Sequence, residues 1–320
     1  MTIYSHSRLG CFESCPRKFY FSYVERLAVE YREGVEAFMG KRVHETLEKL
    51  YSDLKVTKLN SLKDLLSFYE KEWKRNWNDS IVIVKKGLKQ KHYFNLGKKC
   101  IERYYERHRP FDADKTIACE KKVFFSLDKG GKYRMTGFID RLTEKEPGHY
   151  VIHDYKTNGN LPMQDYFDQD RQLALYSIAV HNDFADCDDV NLCWHYLAFD
   201  KDIYSKRTGQ QLESLKKEMI ALIQKIEKAE KENTFPTNET RLCDWCQYTE
   251  LCPAKKHGAK VEKLPAKKFK KDDGVKLVNE FVELNGKLKQ FETASGLRGV
   301  EARRRRNHVA SFLSHNGVLI

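Results

Sequence analysis

The chain has 320 residues, 41% of them hydrophobic, with 58 Lys plus Arg against 46 Asp plus Glu and a formal net charge of +12. That length allows one large domain or two small ones with a substantial core. The absence of any run of about 18 apolar residues, and of an apolar leader in the first dozen residues, argues against a membrane span and a secretion signal, so a cytoplasmic protein is expected.

The basic balance favours a polyanionic partner, nucleic acid first and an anionic membrane surface second. In a reducing compartment the nine cysteines read as thiols or metal ligands before disulfides. Residues 5–23 read as a short helix interrupted at Pro16 and resumed, with Phe12, Phe19, Tyr20 and Tyr23 as core candidates. Residues 34–54 predict an amphipathic helix with Val43, Leu47 and Leu50 on one face and His44 beside it. From 61 to 109 the chain reads as helical and rich in aromatic and basic side chains, among them Trp73, Trp77, Tyr93, Phe94, Tyr104 and Tyr105. These suit stacking on bases, or else the buried face of a helical cap.

A first strand is expected over 117–128, with Glu120 on it as a weaker acidic candidate. Next comes a hairpin. One strand runs through Met135 to Asp140, a turn falls at Glu146-Pro147-Gly148, and a second strand runs from Tyr150 to Lys156. Asp154 and Lys156 are two apart and share a face. If the hairpin pairs so that Asp140 joins them, two carboxylates and an amine converge at one edge. Two carboxylates hold a hard divalent cation, and a nearby lysine can orient or deprotonate the attacking water. A helix is expected over 168–181, with Gln172 and Tyr176 four apart on one face, then a strand over 192–199. The long helix over 212–231 has an apolar seam of Leu212, Leu215, Met219, Leu222 and Ile226.

Cys243, Cys246 and Cys252 follow in a C-x2-C-x5-C spacing, a strong metal-ligand pattern that leaves a fourth ligand to find. Cys100, Cys119, Cys187 and Cys193 read as structural. Beyond Pro253 the composition turns lysine-rich, which reads as an exposed linker. Leu277, Phe281, Leu284, Leu288 and Phe291 then form a further helical seam, paired in a hairpin with 297–313. Arg303 to Arg306 in that stretch are a candidate phosphate contact.

Four of these stretches taken together resemble the RecB-like branch of the PD-(D/E)XK nuclease superfamily. They are Gly137-Phe138-Ile139-Asp140-Arg141, Asp154-Tyr155-Lys156-Thr157, Gln172 to Tyr176, and Gly40 leading to His44. The resemblance covers about residues 5–254, and Ile139 stands where the superfamily's name places proline. It implies an α/β fold: a restriction-endonuclease-like core, with a small central mixed sheet flanked by helices, to which the residues' own patterns add a helical insertion and, outside the resemblance, a C-terminal helical hairpin. It implies that Asp140, Asp154, the backbone carbonyl of Tyr155 and His44 bind Mg²⁺ or Mn²⁺, the imidazole tilting the choice toward Mn²⁺. Lys156 would activate the attacking water, and Gln172 and Tyr176 would position the strand.

Cys15-Pro16-Arg17-Lys18-Phe19-Tyr20 is similar to the N-terminal cysteine motif of iron-sulfur members. By that resemblance Cys15 joins Cys243, Cys246 and Cys252 around a [4Fe-4S] cluster. Zinc is the rival, in a Cys₄ site or a Cys₃His site with His257, and Cys11 is a substitute ligand. The expected organisation is a nuclease domain over 1–258 with its insertion at about 55–112, a linker over 259–273 and a helical tail over 274–320. The implied activity is that of a metal-dependent deoxyribonuclease, an exonuclease on single-stranded ends, as in CRISPR-associated adaptation nucleases and AddB-type domains of recombination helicase-nucleases. Protein partners would come from those pathways. No Walker motif is present, so the chain holds no motor. The alternatives are a non-catalytic DNA-binding subunit, and a zinc-bearing structural or RNA-binding protein.

Overall fold

A computed structural model describes residues 2–29, 32–85, 87–256 and 273–294. Contacts divide the chain into Met1–Ala254 and Lys255–Ile320. The first unit contains eight strands among its described residues: β1 (Ile3–Ser5), β2 (Glu33–Gly34), β3 (Ile81–Val82), β4 (Lys115–Ser126), β5 (Arg134–Glu146), β6 (His149–Lys156), β7 (Asp189–Tyr196) and β8 (Lys201–Lys206). Its helices are α1 (His6–Ser14), α2 (Pro16–Phe19), α3 (Val35–Leu54), α4 (Leu62–Asn76), α5 (Gln90–His108), α6 (Gln164–Asp168), α7 (Gln172–Asp183) and α8 (Gly209–Glu232).

Six strands form one mixed sheet. β4 and β6 run antiparallel to β5, β1 runs parallel to it, β6 and β7 are parallel, and β8 closes the edge antiparallel to β7. The parallel step needs a crossover, supplied by α6 and α7. Covered on both sides, β6 is buried from Tyr150 through Tyr155, as a central parallel strand must be. Asp154 lies within that run. One layer packs α1, α7 and α8 against sheet residues Val123, Met135, Ile139, Leu142 and Ile152. The other packs α3, α4 and α5 on the opposite face, where they meet Tyr155 and Leu197. Local signals agree with these elements: Ser61–Asp64 and Thr208–Gln211 form capping boxes at α4 and α8.

The structure corrects several expectations. The helix expected over 168–181 is two, α6 and α7, separated at 169–171. The helical stretch over 61–109 is likewise two helices, with β3 between them pairing to β2. The aromatics of this stretch are core: Trp73, Tyr93, Tyr104 and Tyr105 are buried, and Trp77 and Phe94 pack against the same cluster. The buried-cap reading therefore replaces base stacking. Trp73 meets Phe38 edge-on at 4.9 Å and Trp77 face-on at 5.6 Å, a geometry that consumes both rings.

In the second unit the helix Asp273–Ala294 (α9) carries the Leu277-to-Phe291 stretch. The linker over 259–272, the partner helix over 297–313 with Arg303 to Arg306, and His257 lie outside the described residues.

Candidate active site

Two strands share one edge of β5. β1 takes Arg134 to Thr136 and β6 takes Arg141 to Glu146, while β4 pairs along the other edge. Gly137 to Asp140 face neither β1 nor β6 in the ladder. The candidate residues collect in this notch.

Carrying the Arg141–His153 pairing one step on would place Asp140 opposite Asp154. The ladder stops there, and Asp140 Oδ2 accepts the Tyr155 backbone N–H at 2.8 Å. From α3, His44 reaches over the gap. Its Nε2 is 2.7 Å from the Tyr155 carbonyl oxygen and its Nδ1 is 3.4 Å from Asp140 Oδ2. A carbonyl only accepts, so Nε2 carries the proton and donates. Lys156 Nζ lies 2.7 Å from Asp154 Oδ2. The contact is an ion pair, and this oxygen is buried with no further hydrogen-bond partner.

Burial is the main cause raising Asp140 to about 6, with Asp154 adding to it and His44 opposing. Burial of Lys156 by itself would lower its pKa, but Asp154 and then Asp140 outweigh it and the ammonium is held above its ordinary value. Lys156 in this environment is a cation and a hydrogen-bond donor.

Gln172 and Tyr176 stand one turn apart on α7; burial raises the Tyr176 phenol, with Gln172 and the Phe138 backbone acting against it. Tyr176 lies across Gly137, where an added Cβ would fall well inside contact with its ring and hydroxyl. A glycine is required at that point by the close approach. The structure thus brings His44, Asp140 and the Tyr155 backbone together, pairs Lys156 with Asp154 next to them without setting Asp154 among the groups whose ligand atoms lie within 4.8 Å of His44 and Asp140, and puts Tyr176 against Gly137.

Three further groups border the site. Glu120 sits opposite Asp140 on β4, between the pairs Cys119–Arg141 and Lys121–Ile139. Its carboxylate, His44 and Asp140 have ligand atoms within 4.8 Å of one another. Burial first, then Asp140, raises Glu120 to about 7. Asp170 caps α7 by accepting the Leu173 N–H at 3.1 Å and is raised, chiefly by burial. His6, at the start of α1, is lowered by burial, and Asp170 and Lys156 act on it. Asp170 and His6 were not legible as site neighbours; the one local signal is the helix-capping position of Asp170. A cleft of about 500 Å³, lined by Gly40, Lys41, His44, Glu45, Glu48 and Glu120, opens beside the acids.

On the far side of β6, the Tyr155 hydroxyl accepts from Arg141 Nε at 2.9 Å. Arg141 is 5% exposed and lies over the Tyr51 ring at 4.0 Å. His153 and His195 meet at 2.9 Å, and His195 Nδ1 is 2.7 Å from Asp202 Oδ1. Tyr155 is fixed by its backbone on the site side and by its ring behind.

The cysteine-bearing ends also meet. Arg17 N–H donates to the Pro236 carbonyl at 3.1 Å and Asn238 Nδ2 to the Ser14 carbonyl at 2.9 Å. Ser22 Oγ reaches the Tyr248 hydroxyl at 3.1 Å, and Phe21 packs on Tyr248 with ring centroids 5.3 Å apart. Cys15 is carried in the extended break between α1 and α2, beside the segment holding Cys243, Cys246 and Cys252. The thiols sense one another: burial raises Cys246, with Cys252 and Cys15 adding to it. Burial also raises Cys11, with contributions from Cys15 and Cys246.

A mixed sheet flanked by helices, carrying acids and a lysine at a strand notch, defines a nuclease-type α/β core. The chain belongs to the PD-(D/E)XK nuclease superfamily, whose family model matches residues 3–253. A comparison with curated proteins gives no match. Among solved structures the chain is similar to a candidate exonuclease from Eubacterium rectale, at 14% identity and a TM-score of 0.46, covering 77% of this chain and 87% of that one. It is also similar to the protein SSO0001, at 16% identity and a TM-score of 0.28, covering 68% and 98%.

Proposed function

We propose that this chain is a metal-dependent deoxyribonuclease of the RecB-like branch, an exonuclease acting on single-stranded ends in recombination, repair or CRISPR adaptation, with protein partners from those pathways. The observation that carries the reading is the notch in β5. There Asp140 and His44 meet at the Tyr155 backbone, and the Asp154–Lys156 pair follows on the same strand. The donor set fits Mg²⁺ or Mn²⁺. It is mostly hard oxygen with one imidazole, and Asp154 Oδ2 is a buried acceptor whose one partner is the Lys156 ammonium. A divalent cation held by Asp140, Asp154, the Tyr155 carbonyl and His44 would offset the charge that develops on the phosphate in the transition state.

The chain's own residues do the rest. Lys156, held as an ammonium, donates to the attacking water or the scissile phosphate and orients the two. Tyr176 and Gln172 form a polar wall on the α7 side, positioned to hold the strand. The Arg141–Tyr155 contact behind β6 keeps the donors from shifting. The net charge of +12 supplies the sequence-independent part of DNA binding. Cys15, Cys243, Cys246 and Cys252 hold a [4Fe-4S] cluster that ties the two ends of the nuclease unit together, supported by the docking of residues 14–22 on 236–248.

End-labelled single-stranded DNA and circular single-stranded DNA, each incubated with Mg²⁺ or Mn²⁺, test the activity. Release of short products from linear DNA only is expected. Cleavage of circles would overturn the exonuclease assignment, and inertness toward every DNA would overturn the nuclease itself.

A further inference from the structure

We propose that the open face of β4 and β5 beside the notch is a stacking track for the bases of single-stranded DNA, with Phe124 and Phe138 as its platforms. The inference rests on the nuclease reading and names the surface that presents the strand to it.

Periodicity exposes the face. Val123 and Phe125 on β4, and Met135 and Ile139 on β5, are buried in the layer of α1, α7 and α8. Their sequence neighbours must point the other way. Register puts Lys122 opposite Phe138 and Phe124 opposite Thr136, which makes Phe124 and Phe138 diagonal neighbours about 7–8 Å apart. The watered face of a sheet is expected to be polar, yet Phe124 is 54% exposed and Phe138 51% exposed. Among the described residues, the core cluster of α3, α4 and α5 takes no member from 120–138, so that layer leaves both rings open.

Charge fits the occupant. Lys122 Nζ lies over the Phe124 ring at 4.7 Å and has no acidic partner among the described residues. Lys121, on the opposite face, is neutralised by Asp183 at 3.1 Å. Arg134, in the same row of β5 as Thr136 and Phe138, is exposed. Its Nε donates to the Gly131 carbonyl at 3.0 Å, and among the described residues it too meets no carboxylate. Two exposed rings flanked by uncompensated cations take bases by their faces and the backbone by charge.

The row leads into the site. Asp140 is two residues beyond Phe138, about 7 Å along the strand, and Glu120 opposite it is two before Lys122. Glu120 adopts φ +46°, a left-handed kink in mid-strand that ends the alternation there. A base stacked on Phe138 thus belongs to a nucleotide at or next to the one being cleaved. Stacking accepts any base but needs it unpaired, so the track selects single strands over duplex without reading sequence.

Fluorescence anisotropy of the full anaerobically purified chain, with no divalent cation added, compares a labelled oligo-dT strand with an abasic strand of equal length. The abasic strand keeps the phosphates and lacks the bases. The wild type should bind oligo-dT at least about 10-fold more tightly. Phe124→Ala and Phe138→Ala should each weaken oligo-dT binding about 5–150-fold, the equivalent of about 1–3 kcal/mol for one stacked base, and leave abasic binding unchanged. Phe138→Trp should keep the wild-type affinity and add an emission that oligo-dT quenches and the abasic strand does not. Equal wild-type affinity for the two strands, or alanine variants with unchanged oligo-dT binding, would overturn the track. So would a loss common to both strands, which marks a structural role. If an alanine variant fails to fold, Phe138→Trp decides, and emission indifferent to bases overturns the proposal. A wild-type dimer made monomeric by Phe138→Ala, with oligo-dT binding unchanged, would give the face to a second copy of the chain and overturn it as well. DNA cleavage with ring-independent binding would leave the nuclease reading intact, whereas ring-dependent binding by a chain that cleaves nothing would keep the track and sink that reading.

Discussion

Asp140 takes for its side chain the backbone N–H of Tyr155, at 2.8 Å, that a continued β-ladder would have paired with main chain. One hydrogen bond thereby ends the β5–β6 pairing, satisfies a buried donor and fixes the Asp140 carboxylate beside the Tyr155 carbonyl. The same residue is then both a structural stop and a candidate ligand, and substitutions can separate the two roles.

Asp140→Asn keeps an acceptor for the Tyr155 N–H, whereas Asp140→Ala leaves that donor unpaired at a cost of about 1–3 kcal/mol. Both should lose cleavage by a factor of at least about 10², but only the alanine variant should also lose stability. Denaturant midpoints measured beside end-labelled DNA cleavage check this. Asp154→Ala and Lys156→Ala should likewise abolish turnover with DNA binding largely retained. Wild-type turnover in Mn²⁺ by any of these would remove that residue from the proposed machinery.

The acid–lysine part of this site was legible because strand geometry is simple. A period of two puts Asp154 and Lys156 on one face, and Pro147-Gly148 marks the turn that brings Asp140 back beside them. What was illegible depends on long-range packing. β1 has three residues, too few for a pattern, yet its pairing with Arg134 to Thr136 bounds the notch. β8 has the mixed polar sequence of an edge strand and no alternation to read. Glu120 gains its place from a left-handed kink and from α3 lying over it, neither of which its neighbours announce. In α4 the buried face is Leu65, Tyr69 and Trp73, four apart, whereas the aromatic content of 61–109 by itself fits burial and base stacking equally.

Gly137→Ala tests the wall formed by α7. The new methyl must displace Tyr176, which is buried and packed with its neighbours, so overpacking of about 1–3 kcal/mol is expected. Turnover should fall with the metal site chemically intact. Tyr176→Phe, with the glycine retained, should keep the stability and isolate the hydroxyl. If Gly137→Ala matches the wild type in both melting and cleavage, the contact across Gly137 is not limiting.

The buried acids set a pH dependence. Asp140 is raised to about 6 and Glu120 to about 7, each chiefly by burial. The native state therefore binds these protons more tightly than the unfolded chain does. The resulting stability is fully present below about pH 4 and is lost as pH rises through 6 to 7. His44, Asp154 and Lys156 face Asp140, and His44, Glu45 and Glu48 face Glu120. The cation-free protein should thus grow less stable from pH 4.5 to 7.5, and added Mn²⁺ should reverse the trend at the upper end. Denaturation of the wild type and of the Asp140→Asn, Glu120→Gln double variant across that range measures it. Equal slopes for the two proteins would show that these acids are not the source.

The cysteine site joins parts of the chain that are far apart. Cys15 and Cys243 are separated by 228 residues (243 − 15), and a centre bonded to both closes nearly the whole nuclease unit. Treated as a covalent cross-link, that closure is worth about 5 kcal/mol at most. Domain stabilities of about 5–15 kcal/mol are of similar size. The ends are already docked through the Arg17–Pro236, Asn238–Ser14 and Ser22–Tyr248 hydrogen bonds, so part of the closure entropy is met by protein contacts and the loss should fall below the ceiling. Purified anaerobically, the protein should be brown, with about four irons and four sulfides per chain. Cys15→Ala, Cys243→Ala, Cys246→Ala and Cys252→Ala should each lose iron and expose the ends to protease, whereas Cys100→Ala, buried within the helical layer, should keep its iron. A colourless protein with one zinc per chain would replace the cluster by a structural zinc site and leave the closure argument standing. Full iron content in Cys15→Ala would instead transfer the fourth bond to His257 or to Cys11, the latter four residues before Cys15 and within electrostatic reach of Cys246.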